Sequence, residues 1–265
     1  MIPARRSPLI MRFFDGYVRR YLGRRFHRVR GWGGPGEVAL PDGLPLLFAM
    51  THASWWDVLV GYHLARTFVS LPSYAPMDEP QLRRYRILSR LGVYSVDRSS
   101  ARGARAFLRY SERLLAAPAA IWLTPQGEIV SNWHRPIRFQ AGVAHLVRRV
   151  PRVAVIPVAI HYEFLEEPRP EIFVKFGPPR FFERETAPVT VLTRRLEDDL
   201  DRELSAVQLA VLDRAVDPFS VLLAGATSTS FVYDRVRALR ARVTGRPDPA
   251  RHGDVVSDPR RGGRP

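Results

Sequence analysis

Four short runs of almost unbroken apolar residues divide this chain, and the stretches between them carry helical spacing. Leu44–Met50 (LPLLFAM), Ala119–Leu123 (AAIWL), Val153–Ile160 (VAVIPVAI) and Glu171–Phe176 (EIFVKF) read as strands, the first of them buried over about 45–51. Helices are expected over about 54–67, 79–91, 141–149 and most of 188–242. Another starts at Ser99 or Ser100, whose hydroxyl can cap it, and runs to about 117 with Ala104, Phe107, Leu108, Leu114 and Leu115 on one face. Such alternation implies an α/β fold, with a central, largely parallel mixed sheet flanked by helices. The 265 residues suit one large domain or two small ones. The expected organisation is a basic helix over 1–30, one domain over 31–245 and a disordered tail over 246–265, rich in Arg, Pro, Gly and Asp.

Charge narrows the partners. The net charge is +15, and of 41 basic residues only Lys175 is lysine. Such an excess favours anionic partners: a phospholipid surface, a nucleic acid or an acidic small molecule. Residues 1–30 hold nine arginines against one acid, Asp15, and their apolar residues recur three and four apart. That is a basic amphipathic helix, which either lies on an anionic membrane or packs on the domain with its arginines solvated. No apolar run reaches the ~18 residues that span a bilayer, and basic residues interrupt the N-terminal stretch too often for a secretory signal. Cysteine is absent, so thiolate metal sites and cysteine nucleophiles are excluded.

Behind the first apolar run comes Thr51-His-Ala-Ser-Trp-Trp-Asp57. Ser54 to Asp57 reads as a capping box with aspartate in place of glutamate, which makes Asp57 structural. The same residues also read as a catalytic pair. On a continuous helix His52 and Asp57 would lie about 140° apart and could not meet. If His52 ends the strand and the helix begins near Ser54, the turn brings the imidazole over the first helical turn. Asp57 would then hold one ring nitrogen and leave the other as a base. Strand ends of this kind are where α/β folds place active sites.

Three further stretches follow in order: Gly92-Val-Tyr-Ser-Val-Asp97-Arg98, Thr124-Pro-Gln126-Gly127-Glu128 and Ile156-Pro-Val-Ala-Ile160. With THASWWD they resemble the four blocks of the glycerolipid acyltransferase family, which includes glycerol-3-phosphate and lysophosphatidate acyltransferases. Phe176-Gly-Pro-Pro179 resembles the strand end that follows the fourth block. The resemblance spans about residues 36–180.

The resemblance implies an O-acyltransferase. His52 is expected to be the general base that deprotonates an acceptor hydroxyl, with Asp57 orienting it. The hydroxyl then attacks the thioester of acyl-CoA or acyl-carrier protein. No cofactor and no metal are implied. Arg98 is expected to hold a phosphate of donor or acceptor, and Gly127 to make a tight turn that brings backbone N–H groups near the substrate. The third block departs from the family's Glu-Gly-Thr-Arg. Gln126 replaces the glutamate and Glu128 the threonine, both expected to border the substrate, and Ile129 stands where the arginine would contact an acceptor phosphate. Isoleucine makes no such contact, and Glu128 would repel a phosphate there. Either Arg135 or Arg138 supplies a replacement cation, or the acceptor lacks that phosphate, as a glycolipid or carotenoid glycoside would. Thr51 also stands where the family commonly has asparagine. Trp55 and Trp56 are expected in the core or along the acyl channel.

The expected partners are therefore the acyl thioester, a lipid acceptor such as a lysophospholipid, and an anionic membrane surface, with the protein on the cytoplasmic face of the cell membrane. Two other readings are a protein that binds acyl chains without transferring them and a basic nucleic-acid-binding protein. No zinc knuckle, RNP-like block or basic-region heptad is present, so no nucleic acid is expected.

Overall fold

The structure, a computed structural model, describes residues 1–33 and 43–225. A 24-residue helix is its longest element, and among the described residues no helix is long and apolar enough to cross a membrane.

The strands expected from apolar runs form the middle of one sheet. Strand β2 (Leu46–Met50) and β5 (Ala120–Leu123) are buried along their whole length. Strand β6 (Arg152–Glu163) is twelve residues long. The remaining strands are β1 (Arg28–Trp32), β3 (Ser73–Asp78), β4 (Val93–Val96), β7 (Glu171–Phe176), β8 (Arg180–Glu183) and β9 (Ser220–Ala224). Their order is β4-β3-β5-β2-β6-β7-β1-β9, with β8 also on β6. The first five of that order are mutually parallel, whereas β7 and β8 pair antiparallel with β6. The sheet is mixed and largely parallel, as expected.

Alternation along each central strand sends side chains to opposite faces. Phe48, Met50, Trp122, Ile156, Val158 and Ile160 meet helices α1 (Pro8–Arg25) and α2 (Trp56–Phe68). Leu47, Ala49, Ile121, Leu123, Val153 and Val155 meet α4 (Ala101–Leu115), α5 (Gly142–Arg149) and the start of α6 (Val189–Leu212). A sheet covered on both faces requires such continuous apolar strands. Ser100 caps α4, accepting from the Gly103 N–H at 3.0 Å.

Several boundaries differ from expectation. The helix expected over 1–30 occupies Pro8–Arg25; beyond it Phe26 turns extended and Arg28–Trp32 form strand β1, of which Val29–Trp32 pair with β7. One arginine of that segment, Arg30, is buried against the Glu171 carboxylate rather than solvated. The helix expected over 79–91 breaks at Tyr85 into α3 (Glu79–Arg84) and a 3₁₀ helix, Arg86–Leu91. Where helices are expected to dominate 188–242, α6 ends at Leu212 and Ser220–Ala224 is a strand on β1. The rest of that segment and the 246–265 tail lie outside the described residues. Strands β3, β4 and β8 are not expected because none is an unbroken apolar run: Pro76 and Asp78 lie in β3, Ser95 in β4, and Arg180 and Glu183 in β8.

Helix α1 is half docked. Met11, Val18 and Leu22 are buried, while Leu9, Phe13 and Tyr17 face outward. It is tied to α2 where the Asp15 carboxylate takes the Tyr62 hydroxyl at 2.7 Å and both donors of an Arg66 fork.

Candidate active site

The site begins where β2 ends. Thr51 is buried, and its hydroxyl accepts the Ile160 N–H at 2.9 Å and donates to the Ile160 carbonyl at 3.2 Å. A hydroxyl both donates and accepts, so threonine stitches this corner to β6 without help from asparagine. His52 follows as the first side chain beyond the sheet.

The chain then turns into α2. The Trp56 N–H donates to Ser54 Oγ at 3.3 Å, and the Asp57 carboxylate reaches back to the Ser54 N–H at 2.8 Å. Only half of the expected capping box is present: the carboxylate reaches back to Ser54, but the Asp57 N–H donates to the Ser54 carbonyl rather than to its hydroxyl, and the helix begins at Trp56 with Trp55, not Ser54, as its N-cap. The same Asp57 Oδ2 lies 3.3 Å from His52 Nδ1. One oxygen of Asp57 thus reaches both the Ser54 N–H at the start of the helix and the imidazole of His52. Asp57 is fully buried and the His52 side chain is 17% exposed, so the pair is screened from water while His52 remains reachable. With Nδ1–H donating to a carboxylate, Nε2 is the basic nitrogen.

The second oxygen of Asp57 accepts the Tyr162 hydroxyl. Burial, and then the Asp57 carboxylate beside it, push the Tyr162 phenol well above its ordinary range, so it remains a donor. Nothing in the sequence analysis singled out Tyr162. It lies two residues past the apolar run Val153–Ile160, and the only signal was period-two spacing from Val158 and Ile160.

The third block wraps the other side of His52. Gln126 Oε1 accepts the His52 backbone N–H at 3.0 Å, and the Val130 N–H donates to the His52 carbonyl at 2.8 Å. Between them Gly127 holds φ +80°, where an added Cβ would sit 3.0 Å from Gln140 and 3.2 Å from the Arg98 guanidinium. That is a position for glycine alone. Its N–H closes the turn on the Thr124 carbonyl at 3.0 Å, so this donor serves the loop rather than a substrate. Arg98 donates to the Gly127 carbonyl and comes within 3.4 Å of Asp78. His52, Asp78, Arg98 and Gln126 thus gather just beyond the C-terminal ends of β2, β3, β4 and β5, where open α/β sheets bind ligands.

Glu128 and Ile129 are exposed on the same loop. Arg135, expected as a replacement cation, is instead engaged by α6: it pairs with Asp201 at 2.5 Å and donates to Gln208 at 2.9 Å. Arg138 points to Glu197 of the same helix at 3.5 Å. Of the two tryptophans expected in the core or along the acyl channel, Trp56 packs in the core with Tyr21 and Phe26, whereas Trp55 is 59% exposed and outside the core. Val58, one turn into α2, and Ile129 are exposed with it. Among the described residues no three His, Asp or Glu side chains cluster as a metal set.

Residues 35–161 match the family model described as Acyltransferase. No curated protein sequence matches the chain. Among solved structures, the 1-acyl-sn-glycerophosphate (LPA) acyltransferase PlsC from Thermotoga maritima matches with a TM-score of 0.52 at 16% identity, over 75% of this chain and 79% of that one. At that identity the likeness is one of fold. The family match contains the paired His52 and Asp57, Arg98 and the Gln126 turn, so residues 35–161, just under half of the chain, are similar to the Acyltransferase family, and the described fold is like that of PlsC.

Proposed function

We propose that the chain moves a fatty acyl group from acyl-CoA or acyl-carrier protein to a hydroxyl of a membrane lipid. The observation that carries this reading is the buried Asp57 carboxylate at His52 Nδ1, with the imidazole open to solvent on its other side. In the proposed step the acceptor hydroxyl gives its proton to His52 Nε2 as its oxygen attacks the thioester carbonyl. The tetrahedral adduct then expels the thiolate, which takes the proton back from the imidazolium. The products are an ester and a free thiol. Asp57 holds the ring and stabilises its transient positive charge, the role aspartate plays in a serine-protease triad. The thioester is already activated, so no covalent enzyme intermediate is required. Arg98 and the Gly127 turn border the substrate beside this pair.

A second reading concerns the acceptor. Ile129 occupies the position of the family's phosphate-binding arginine, and Arg135 is engaged by Asp201 and Gln208 of α6, while Arg138 is 62% exposed with a single 3.5 Å contact to Glu197. These contacts favour an acceptor with no phosphate at this point, such as a glycolipid or a carotenoid glycoside.

The protein works at a membrane surface in this proposal, on the anionic cytoplasmic face. The arginines of α1, with outward-facing Leu9, Phe13 and Tyr17, support that location. So does the exposed Trp55 beside His52.

The test is acyl transfer from labelled acyl-CoA and acyl-carrier protein to glycerol 3-phosphate, lysophosphatidate, lysophospholipids and glycolipids. Wild type is run beside His52→Ala, with products read by mass spectrometry. A product that depends on His52 supports the reading and names the acceptor. Transfer that survives His52→Ala overturns the base assignment, and no transfer to any acceptor leaves a non-catalytic acyl-lipid binder.

A further inference from the structure

Strand β6 is longer than its neighbour requires. It pairs with β2 over Ala154–Val158, then continues five residues past the end of that ladder, held by β7. The extension carries Ile160 to the Thr51 hydroxyl and Tyr162 to Asp57. Phe26, at the end of α1, lies against the Tyr162 ring with centroids 5.9 Å apart, and the same Phe26 meets Trp56 edge-on at 5.0 Å. The phenol is therefore gripped by packing on one side and by the carboxylate on the other.

A buried carboxylate with two free oxygens can rotate about χ2. Asp57 Oδ2 is asked to serve two donors, Ser54 N–H and His52 Nδ1, and can meet both only with the carboxylate plane fixed. Ser54 fixes one oxygen. Only a donor on Oδ1 fixes the other, and Tyr162 supplies it from a different element of the fold.

We propose that Tyr162 is a positioning residue for acyl transfer, its hydroxyl locking Asp57 so that Oδ2 faces His52 Nδ1. This rests on the reading of His52 as the base.

The test compares wild type, Tyr162→Phe and a protein with 3-fluorotyrosine at position 162. Phenylalanine keeps the ring and its packing and deletes only the donor. Fluorination makes the phenol more acidic and a stronger donor. The expected results for Tyr162→Phe are a kcat lower by about ten- to a hundredfold and an unchanged KM for donor and acceptor, whereas 3-fluorotyrosine, which keeps the donor, stays within a few-fold of wild type. The nitrogen-15 resonance of His52 Nδ1, which reports its bond to Asp57, should change in Tyr162→Phe and be kept with 3-fluorotyrosine. A merely structural role would lower the thermal midpoint while leaving the kcat and the Nδ1 resonance in place, and that result overturns the proposal. The NMR comparison needs no turnover, so a chain that transfers no acyl group still decides the role of Tyr162 separately from the role of the enzyme.

Discussion

The Gln126 side-chain carbonyl accepts the backbone N–H of His52 at 3.0 Å, across 74 residues of sequence. The base of the candidate dyad is thus held through its main chain by the third block and through its ring by Asp57. A side-chain amide and a carboxylate both accept there, which explains how glutamine can stand where glutamate is usual without loss of the contact. Gln126→Glu is expected to keep kcat within a few-fold of wild type. Gln126→Ala leaves a partly buried N–H without its partner and should cost about 1–3 kcal/mol of stability, with a fall in kcat at an unchanged donor KM. Thermal denaturation and steady-state kinetics of the two variants check this.

Asp57→Asn keeps the volume and removes the charge. The amide nitrogen must then face the Ser54 N–H, the Tyr162 hydroxyl or the His52 ring, each of which needs an acceptor from it. The expected loss is about 10²–10⁴-fold in kcat, with the fold intact by circular dichroism. Single-turnover acyl transfer measures it.

Three buried histidines set an acid limit on stability. Burial pushes His27, His63 and His161 below their ordinary 6.5, helped by Arg28 at His27 and by Arg19 at His63, and opposed by Glu163 at His161. Each takes up its proton more readily when unfolded. Their contribution is therefore complete above the unfolded value and is lost as pH falls below it. The thermal midpoint should drop between about pH 7 and pH 5. His63→Leu should make that decline shallower, as a calorimetric pH series would show.

Phe13 and Tyr17 face outward from α1, and burying an aromatic in the interfacial region of a bilayer contributes about 1.5–3 kcal/mol. Phe13→Ser with Tyr17→Ser should weaken co-sedimentation with anionic vesicles by tenfold or more and raise the apparent KM for a bilayer-resident acceptor. Activity toward a short-chain, water-soluble acceptor should not change. Equal loss on both acceptors would argue that α1 matters for folding instead.

The central strands could be read directly because both their faces are buried, which leaves unbroken apolar runs such as LLFAM and AIWL. The pairing of His52 with Asp57 could be read because both lie in one strand–turn–helix, where local geometry decides the contact. The edges of the sheet were hidden. β3 is half-buried along its length and contains a proline, and β1 follows an amphipathic helix whose apolar spacing runs on into it through Leu22, Phe26 and Val29. Arg135 and Arg138 looked free because their partners, Asp201, Gln208 and Glu197, lie about 60 to 70 residues away on a helix whose acidic side reads as solvated. Gln126 was expected to touch substrate and instead holds the His52 main chain, a role that residue type alone does not reveal.

The reach of β6 beyond β2 carries a hazard that the core must guard against. Side chains alternate along a strand, so a slip of one position would exchange Tyr162 for His161 or Glu163 beside Asp57. The first could offer a cation to the carboxylate and the second a like charge, and neither is a fixed neutral donor. Ile156, Val158 and Ile160 on one face and Val153 and Val155 on the other make such a slip costly, since it would drive each set into the wrong layer. The apolar residues that hold the domain together thereby also serve as the proofreading of its chemistry.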